Sequence, residues 1–391
     1  MQYAGRVEAH ARSLARPMLL RTSARHRQKC TASPARDVLV FDGDGVGPEI
    51  ITAARRVADA ALSVAGVRGI RWIKMDGYGY DNGLGVTEAH LEAFGEVGVL
   101  LKGPLSIPAG TSGSVIEARG QAFTSANQAL RQLFGLYANV RPARSYALPW
   151  PTRFGDVAVD LLIVRENTED LYCGAPEVWV DKDTCQATKR ISRGASARIA
   201  EYACALALQR QAERGAPSLV TAVHKANVCK QSDGLFLEEA RKAASAAGLR
   251  YEEALVDSLC AGLVLQPQAY DVLVAPNCWG DIVSDLAGGV VGSLGLLGSA
   301  NVGASHALFE AAHGSAPDIA GCGVANPASM MLSAAMLMRH VGEAPAADAV
   351  ERAIAAALAE GCATVDLGGA ASTGDFTDAV IAEIEQSTIN T

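Results

Sequence analysis

Short apolar runs alternate with amphipathic stretches along most of this chain. The runs have the length and composition of buried strands: "VLVF" at 38–41, "IRWIKM" at 70–75, "VGVLLKG" at 97–103, "VDLLIV" at 159–164, "SLVTAV" at 218–223 and "DVLVAP" at 271–276. Helical patterns follow the first two runs, from about Pro48 and near Thr87. Strands that alternate with helices are typical of α/β proteins with a largely parallel sheet.

A glycine-rich turn follows the first apolar run, in "VLVFDGDGVGPEI". Gly43, Gly45 and Gly47 have the spacing G-x-G-x-G, whereas the dinucleotide-binding fingerprint is G-x-G-x-x-G. That fingerprint also requires an acidic residue about 20 positions later, but residues 60–66 read "AALSVAG". The stretch therefore predicts a tight turn from a strand into a helix, and not a Rossmann phosphate loop.

The run "SLVTAVHK" leads into a helical pattern that starts after Ser232 and ends at Gly248. Serine is a common N-cap residue and glycine a common C-cap residue, so we expect Ser232 and Gly248 to cap this helix. Lys225 then lies at the carboxyl end of a strand. This is where α/β proteins place their functional sites.

Two carboxylates follow the last of these apolar runs, in "DVLVAPNCWGDIVSDLAGG". We expect the strand to end near Pro276 and a helix to begin near Asp281, which places Asp281 and Asp285 one turn apart on one face. Two acids stacked in this way repel each other unless a cation lies between them. Mg²⁺ or Mn²⁺, which prefer oxygen ligands, would fit. The spacing alone fits equally well an N-capping Asp281 beside an exposed Asp285.

Three arginines lie on three successive elements upstream of this pair. Arg131 is in a helical pattern, Arg141 follows a β-like run, and Arg165 ends an apolar strand. Three guanidinium groups from three elements can converge, and planar, bidentate arginines bind carboxylates well. Taken singly, each of them is equally compatible with a surface charge.

The first 36 residues are basic and differ in composition from the rest of the chain. Glu8 is their only acid, and a secretory signal core would be longer than their longest apolar stretch, "PMLL". We interpret 1–36 as an organellar transit peptide, mitochondrial in preference to plastid, with a mis-assigned start or a basic tail as the alternative. Eight basic residues occupy it: Arg6, Arg12, Arg16, Arg21, Arg25, Arg27, Lys29 and Arg36.

Charge and cysteine content exclude several functional classes. The chain has 34 basic and 42 acidic residues, and without the basic segment the remainder is still more acidic, so nucleic acid is a poor candidate partner. No apolar run reaches the roughly 18 residues of a membrane-spanning helix. The 9 cysteines are scattered without a C-x-x-C pair, which favours reduced thiols over a disulfide framework or a zinc site.

Eight motifs, in order, carry a family resemblance: "FDGDGVGPEI", "LLKGPL", "LYANVRPARS", "IVRENTEDLYCG", "VHKANVCKQSDGLF", "PNCWGDIVSDLAGGVVGSLGLLGSANVG", "FEAAHGSAPDIAGCGVANPASM" and "DLGGAASTGDFTDAV". From about residue 37 to about 384 the chain resembles the isocitrate and isopropylmalate dehydrogenases, which are metal-dependent β-decarboxylating dehydrogenases. The resemblance implies an α/β fold that is not Rossmann. It implies a large domain (37–136 and 292–391), a small domain (137–291), and a dimerising clasp or arm near 170–197.

The resemblance also assigns roles to individual residues. Arg131, Arg141 and Arg165 match the arginines that hold the substrate's carboxylates. Ser125 and Asn127 match the pair by which isocitrate-specific members bind the carboxylate that distinguishes isocitrate. Isopropylmalate relatives have apolar residues at these two positions, and an isopropyl group would leave the hydrogen bonds of Ser125 and Asn127 unmade.

The catalytic and metal-binding residues are matched in the same way. Asp281 and Asp285 match metal ligands, and Asp257 matches a third that the partner subunit contributes, so the implied cation is Mg²⁺ or Mn²⁺. Lys225, also from the partner, matches the group that works with the substrate's hydroxyl as general base. Tyr172 matches the residue that protonates the enolate after CO₂ leaves.

The matched cofactor site lies in "HGSAPDIAGCGVANP". Asp318 and Ile319 match the pair that separates NAD from NADP, since NADP-using members have Lys and Tyr there. A carboxylate at 318 would repel the 2′-phosphate of NADP, so the expected cofactor is NAD. Four further residues match positions around the adenosine: His313, Gly314, Ala316 and Asn326.

The resemblance therefore implies NAD-dependent oxidative decarboxylation of isocitrate to 2-oxoglutarate in a homodimer or higher oligomer. The basic segment 1–36 places this activity in mitochondria, with the plastid or cytoplasm as alternatives. Two features depart from the family: Ser106 and Ile107 replace the usual threonine after "KGPL", and loop 109–124 is long. Homoisocitrate, isopropylmalate or tartrate oxidation remains an alternative. So does a regulatory role within a hetero-oligomer, although a regulatory chain would be expected to lose catalytic groups.

Overall fold

A computed structural model describes residues 35–67, 69–80, 85–106, 116–151 and 157–386. Ile107, residues 109–115 of the long loop and residues 1–34 of the proposed transit segment lie outside these ranges. Arg36, which we counted in that segment, is the first residue of the first strand. The folded part therefore begins at least one residue earlier than the predicted boundary.

The described ranges contain fourteen strands. They are β1 (Arg36–Phe41), β2 (Ile70–Lys74), β3 (Val99–Lys102), β4 (Ile116–Ala118), β5 (Gln121–Phe123), β6 (Ala138–Arg144), β7 (Asp160–Glu166), β8 (Val178–Asp181), β9 (Thr184–Gln186), β10 (Leu219–His224), β11 (Arg250–Leu255), β12 (Val272–Ala275), β13 (Gly298–Val302) and β14 (Ala307–Ala311). All six apolar runs that we interpreted as strands are strands.

Ten α-helices of the described ranges connect and cover these strands. They are α1 (Gly47–Val64), α2 (Glu88–Val97), α3 (Ala126–Leu133), α4 (Arg193–Arg214), α5 (Ser232–Ala247), α6 (Val256–Leu265), α7 (Asn277–Val291), α8 (Ala328–Val341), α9 (Ala344–Ala359) and α10 (Thr373–Gln386). None of the helices in these ranges has the length and apolar character needed to cross a membrane.

Two expectations about helix starts are wrong. Ser232 is the first residue of α5 and makes no capping bond, while Gly248 does end that helix in the left-handed conformation. Helix α7 begins at Asn277 and not near Asp281. Asp281 is therefore an interior residue of α7, which removes the alternative in which it only caps the helix.

Ten of the strands form one sheet in the order β11-β10-β12-β7-β6-β13-β14-β3-β1-β2. The pairing is parallel except around β6, which is antiparallel to both β7 and β13, and between β13 and β14. The α/β class and the largely parallel sheet are thus confirmed. Strands from residues 137–291 lie together on one side of the sheet order. The predicted domain boundaries remain predictions.

The glycine turn between β1 and α1 is as tight as its sequence indicates. Gly43 and Gly45 have positive φ angles of 74° and 57°, which an L-residue rarely adopts. A Cβ atom on Gly45 would lie 2.0 Å from the carbonyl oxygen of Ser315, and Val46 N donates to that same oxygen at 2.9 Å. The turn therefore packs against the segment in which we expect the cofactor.

Candidate active site

The three arginines predicted to converge do come together at one end of α7. Arg131 is near the end of α3, while Arg141 and Arg165 lie on the antiparallel strands β6 and β7. Arg165 is almost fully buried, and its pKa is lowered to about 10 because burial disfavours the charged guanidinium and because Arg131 and Arg141 repel it. The site therefore brings three guanidinium groups next to the carboxylates of α7 and β14.

Arg165 is held in place by the first two turns of α7. Its Nε and Nη2 atoms donate to Asn277 Oδ1 at 2.9 and 2.6 Å, and its Nη1 atom donates to Asp281 at 2.5 Å. The helix approaches this closely because residue 280 is glycine: a Cβ atom there would lie 2.7 Å from the Arg165 side chain. The sequence did not reveal the role of Gly280 or Asn277, since only the packing of α7 on β7 makes them neighbours.

Asp281 and Asp285 lie on one face of α7, as their spacing predicts. Arg141 Nη1 is 3.9 Å from Asp281 and 3.1 Å from Asp285, and it also donates to Ser284 at 2.7 Å. Burial alone would raise the pKa of Asp281, but Arg165 and the other nearby donors lower it. The pKa of Asp285 is raised, because burial outweighs the attraction of Arg141 and because Asp281 repels it.

The donors at this site fit a hard divalent cation. Both are carboxylates on a face that stays partly open, with 36% of the Asp281 side chain and 57% of the Asp285 side chain exposed. Oxygen ligands with room for water and substrate suit Mg²⁺ or Mn²⁺. Within the described part of one chain, no three His, Cys, Asp or Glu side chains form a group that could hold a metal.

Tyr172 adds a phenol to the same pocket. Its hydroxyl donates to Asp281 Oδ2 at 2.8 Å, and the guanidinium of Arg165 lies 5.2 Å from its ring centroid. Burial and the bond to Asp281 raise the pKa of Tyr172 to about 12. The phenol is therefore protonated at neutral pH and can act as a proton donor.

Lys225 and Asp257 form a separate pair. Lys225 follows β10, Asp257 is in the first turn of α6, and Lys225 Nζ lies 2.6 Å from Asp257 Oδ1. The hydrogen bond from Lys225 lowers the pKa of Asp257. No hydrogen bond or ion pair among the described residues joins either of them to Asp281, Asp285 or Tyr172.

Ser125 and Asn127 lie at the start of α3. Ser125 is the N-cap of this helix, and its hydroxyl accepts a bond from Gln128 N at 3.1 Å. Both side chains are partly exposed. Arg131 lies on the same helix, so Ser125, Asn127 and Arg131 are held by one element, while Arg141 and Arg165 lie on strands.

A buried ion pair that the sequence analysis did not single out lies behind Arg131. Lys102, at the end of β3, and Glu310, in β14, are 2.7 Å apart, and Arg131 Nη2 lies 3.3 Å from Glu310. Burial would raise the pKa of Glu310, but Lys102 and Arg131 lower it to about 2. The sequence did contain a signal for this ion pair. A lysine and a glutamate, which are rarely buried unless paired, lie in the apolar runs "VLLK" and "LFEA".

The predicted cofactor segment forms a loop from β14 to α8. The Nδ1 atom of His313 lies 2.9 Å from the Gly314 carbonyl oxygen, while its Nε2 atom is buried and has no hydrogen-bond partner among the described residues. Burial lowers the pKa of His313. Ala316 has a positive φ of 39°. A buried polar atom without a partner fits a site that a polar ligand completes.

Both ends of this loop are fixed to neighbouring elements. Ser315 accepts a hydrogen bond from Ser106 at 2.9 Å. Ser106, which departs from the family pattern after "KGPL", is therefore connected to this loop. Asn326 donates to Asp366 at 3.0 Å and accepts from Ala328 N at 3.0 Å. Asp318 is exposed between these anchors, and Ile319 is half-buried beside it. The loop therefore presents Asp318 on a fixed backbone.

Comparisons with known proteins identify the family of the chain. A family model described as isocitrate/isopropylmalate dehydrogenase matches residues 37–380. A mitochondrial regulatory subunit of the NAD isocitrate dehydrogenase of Dictyostelium discoideum is 40% identical over 91% of this chain and 94% of its own length. The mitochondrial NAD isocitrate dehydrogenase catalytic subunit 5 of Arabidopsis thaliana is 41% identical over 90% of both. The crystal structure of isocitrate dehydrogenase from Methylococcus capsulatus has a TM-score of 0.79, at 37% identity, over 90% of this chain and 100% of that one.

Proposed function

Because the chain belongs to the isocitrate/isopropylmalate dehydrogenase family, we propose that it oxidises and decarboxylates isocitrate to 2-oxoglutarate and CO₂ with reduction of NAD, in the presence of Mg²⁺ or Mn²⁺. One observation carries this proposal: two of the three arginines and Tyr172 contact a pair of stacked carboxylates, and the third, Arg131, lies near enough to help lower the pKa of Asp281. Isocitrate is a tricarboxylate, so it needs several cations and a metal in one pocket.

The arginines bind and orient the substrate. Arg131, Arg141 and Arg165 offer planar donors to its carboxylates from three different elements, so their relative positions are set by the sheet and by α3. Ser125 and Asn127 offer hydroxyl and amide groups to the carboxylate that distinguishes isocitrate from isopropylmalate. Burying these polar groups against a branched alkyl group would leave them without partners, which supports isocitrate.

Asp281 and Asp285, with Asp257 of a neighbouring subunit, hold the cation in this proposal. The cation, when bound, favours ionisation of the substrate's hydroxyl and stabilises negative charge as CO₂ leaves. Lys225 from the neighbouring subunit takes the hydroxyl proton, and Tyr172 delivers a proton to the carbon from which CO₂ has departed. Lys225 and Asp257 lie together but apart from Asp281 in one chain, which supports sites shared between subunits of an oligomer.

The loop from His313 to Asn326 binds the cofactor in this proposal. NAD, when bound, accepts the hydride from the carbon that carries the substrate's hydroxyl. Asp318 is exposed on the fixed loop and repels a 2′-phosphate, and it can accept hydrogen bonds from the ribose hydroxyls. This arrangement supports NAD over NADP.

We place the protein in mitochondria and regard it as a catalytic subunit. Its first 36 residues are basic with a single acid, as in transit peptides, and the named Dictyostelium and Arabidopsis relatives are mitochondrial proteins. A regulatory role is the second candidate, since the Dictyostelium relative is a regulatory chain by name. The chain retains Tyr172, Lys225 and all three aspartates, which favours catalysis.

NADH formation by the purified full chain tests the proposal. Isocitrate, homoisocitrate and isopropylmalate are compared with NAD or NADP, with and without Mg²⁺ or Mn²⁺, and the variant Asp281→Asn serves as the inactive control for contaminating dehydrogenases. We expect turnover of isocitrate with NAD and metal only. Faster turnover of isopropylmalate would refute the substrate, and activity that requires an added partner chain would favour a regulatory role.

A further inference from the structure

A buried group of charges lies between Lys225, Tyr172 and α7. It consists of Asp170, Lys189 and Asp233, which we call the buried Asp–Lys cluster. Neither aspartate has any exposed surface. Lys189 Nζ lies 2.6 Å from Asp233 Oδ1 and 3.8 Å from Asp170 Oδ1, so one ammonium serves two carboxylates.

Asp233 fixes the backbone at Lys225. Its Oδ2 atom accepts hydrogen bonds from the backbone N–H of Lys225 at 2.7 Å and from the indole N–H of Trp279, in α7, at 2.9 Å. On the other side, the Lys225 carbonyl oxygen accepts from Val228 N at 2.9 Å and Cys229 N at 2.8 Å. Both backbone polar groups of Lys225 are therefore engaged, and only its side chain is left to move.

Asp170 connects the cluster to the other side of the site. Its Oδ2 atom accepts from Cys278 N at 3.0 Å, near the start of α7, and its backbone pairs with Arg190, which follows Lys189. Asp170 itself has a positive φ of 66°, which costs energy for a residue that is not glycine. Tyr172 lies two residues further along. The cluster thus anchors the backbone two residues before Tyr172.

Stability alone does not account for this cluster. Two carboxylates and one ammonium in the interior carry an excess negative charge, and removing such groups from water costs several kcal/mol per ion, in order of magnitude. Burial raises the pKa of Asp170 even though Lys189 opposes the change. The hydrogen bonds that offset this cost come from Lys225, Trp279 and Cys278, and Asp170 lies two residues before Tyr172. Lys225, Tyr172 and α7 all belong to the proposed active site. A buried network that holds their backbones in place would therefore help to position the catalytic groups.

We propose that Asp233 is a positioning residue that fixes the Lys225 backbone and ties it, through Lys189 and Trp279, to the segment after β9 and to α7. A lysine that acts on a substrate held by another subunit must have a fixed starting point, because an error of about 1 Å in such a group can cost about 10²-fold in rate. The catalytic consequence rests on the proposed function; the anchoring itself does not.

Amide hydrogen exchange at Lys225, measured without substrate, tests the anchoring directly. In Asp233→Ala the Lys225 N–H loses its acceptor, and we expect its exchange to accelerate by about tenfold or more. The matched control is Glu239→Gln on the same helix, because Glu239 forms its ion pairs with Arg193 and Lys242. We expect no change at Lys225 in the control.

Steady-state kinetics of the same variants test the consequence. We expect kcat for isocitrate to fall by about 10²-fold in Asp233→Ala with KM within about threefold of the native value, because substrate binding depends on other residues. Asp233→Asn keeps the size of the side chain but offers an oxygen to only one of its two sets of donors. The Lys225 amide exchange rate and the kcat of Asp233→Asn should lie between those of Asp233→Ala and the control. Asp233→Asn replaces Asp233→Ala in the test if the alanine variant does not fold.

Each outcome decides the inference. Lys225 exchange that matches the control in both Asp233 variants overturns the anchoring, whether or not the chain turns over isocitrate. Faster exchange with an unchanged kcat overturns the catalytic consequence. If the native chain does not oxidise isocitrate, the proposed function fails, while the exchange experiment still decides whether Asp233 anchors Lys225.

Discussion

At the scale of single residues, the candidate site owes its chemistry to ionisable groups buried next to one another. Asp281 and Asp285 are four residues apart on one helix, yet the pKa of Asp281 is lowered and that of Asp285 is raised. Arg165 and Tyr172 contact the first carboxylate only. Two identical side chains thus have different pKa values because their neighbours differ. The sequence pattern alone could not predict this difference.

Replacing Tyr172 with phenylalanine should separate proton donation from binding. The pKa of Tyr172 is raised to about 12, because of burial and the bond to Asp281, so the phenol holds its proton throughout the neutral range. We expect Tyr172→Phe to lower kcat by about 10²- to 10⁴-fold with little change in the KM for isocitrate. An unchanged kcat in initial-rate measurements would show that another group supplies the proton.

The double variant Asp318→Lys/Ile319→Tyr should shift the cofactor preference. Asp318 is exposed and makes no ion pair with the described residues, so its replacement should not disturb the fold. A lysine there attracts the 2′-phosphate that the carboxylate repels. We expect the ratio of kcat/KM for NADP to that for NAD to rise by at least tenfold, with Asp318→Asn in between. A ratio that stays unchanged argues against Asp318 as the discriminating residue.

At the scale of elements, the site depends on how closely α7 approaches β7. Gly280 provides the contact, and the variant Gly280→Ala places a methyl group 2.7 Å from the Arg165 side chain. We expect weaker isocitrate binding, with an increased KM, and a lower melting temperature. The matched control is Gly289→Ala on the same helix, where an added Cβ atom would have no described neighbour within 4 Å beyond the helix's own backbone. There, alanine should stabilise the protein by about 0.5–1 kcal/mol.

The contact between β3 and β14 predicts a dependence of stability on pH. The pKa of Glu310 is lowered from 4.5 to about 2, so its pairs with Lys102 and Arg131 stabilise the protein fully above pH 4.5, and this contribution is lost as the pH falls towards 2. Lys102→Met should reduce the free energy of unfolding by about 3–5 kcal/mol at pH 7, and by less at pH 4.

Urea unfolding at several pH values measures this effect, and the double variant Lys102→Met/Glu310→Gln is the control. Because the double variant has no buried carboxylate that has lost its lysine partner, it should recover part of the lost stability. A loss for Lys102→Met that is equal at pH 7 and pH 4 would contradict the assignment of the low pKa to this pair.

At the scale of the whole molecule, one exposed element is consistent with oligomeric assembly. The two-stranded β8–β9 ribbon is exposed along its entire length, with Trp179 68% exposed in a single chain. A surface tryptophan flanked by exposed valines is typical of a surface that a partner covers. The ribbon lies within the segment that the family resemblance assigns to a dimerising arm.

Mixing two inactive variants tests the shared sites. If Lys225 acts in the site that contains Asp281 of the other subunit, Lys225→Met and Asp281→Asn are each inactive alone. Half of the dimers formed after the two are dissociated and reassembled together should then contain one intact site, which restores roughly a quarter of the native activity. Sites contained within one chain would give no recovery. Reassembled mixtures of each variant with itself are the controls.

The sequence by itself determined six of the fourteen described strands, the α/β class, the stacked acids and the set of arginines, because periodicity and spacing are local properties of the chain. Motif resemblance added the family. Only the tertiary structure decided that the glycine turn packs on the loop between β14 and α8 at Ser315, that Glu310 pairs with Lys102, and that Asp233 binds the backbone of Lys225. The physical reason is that burial and long-range contact, which set the pKa values and fix the backbone at Lys225, arise between residues that the sequence keeps apart.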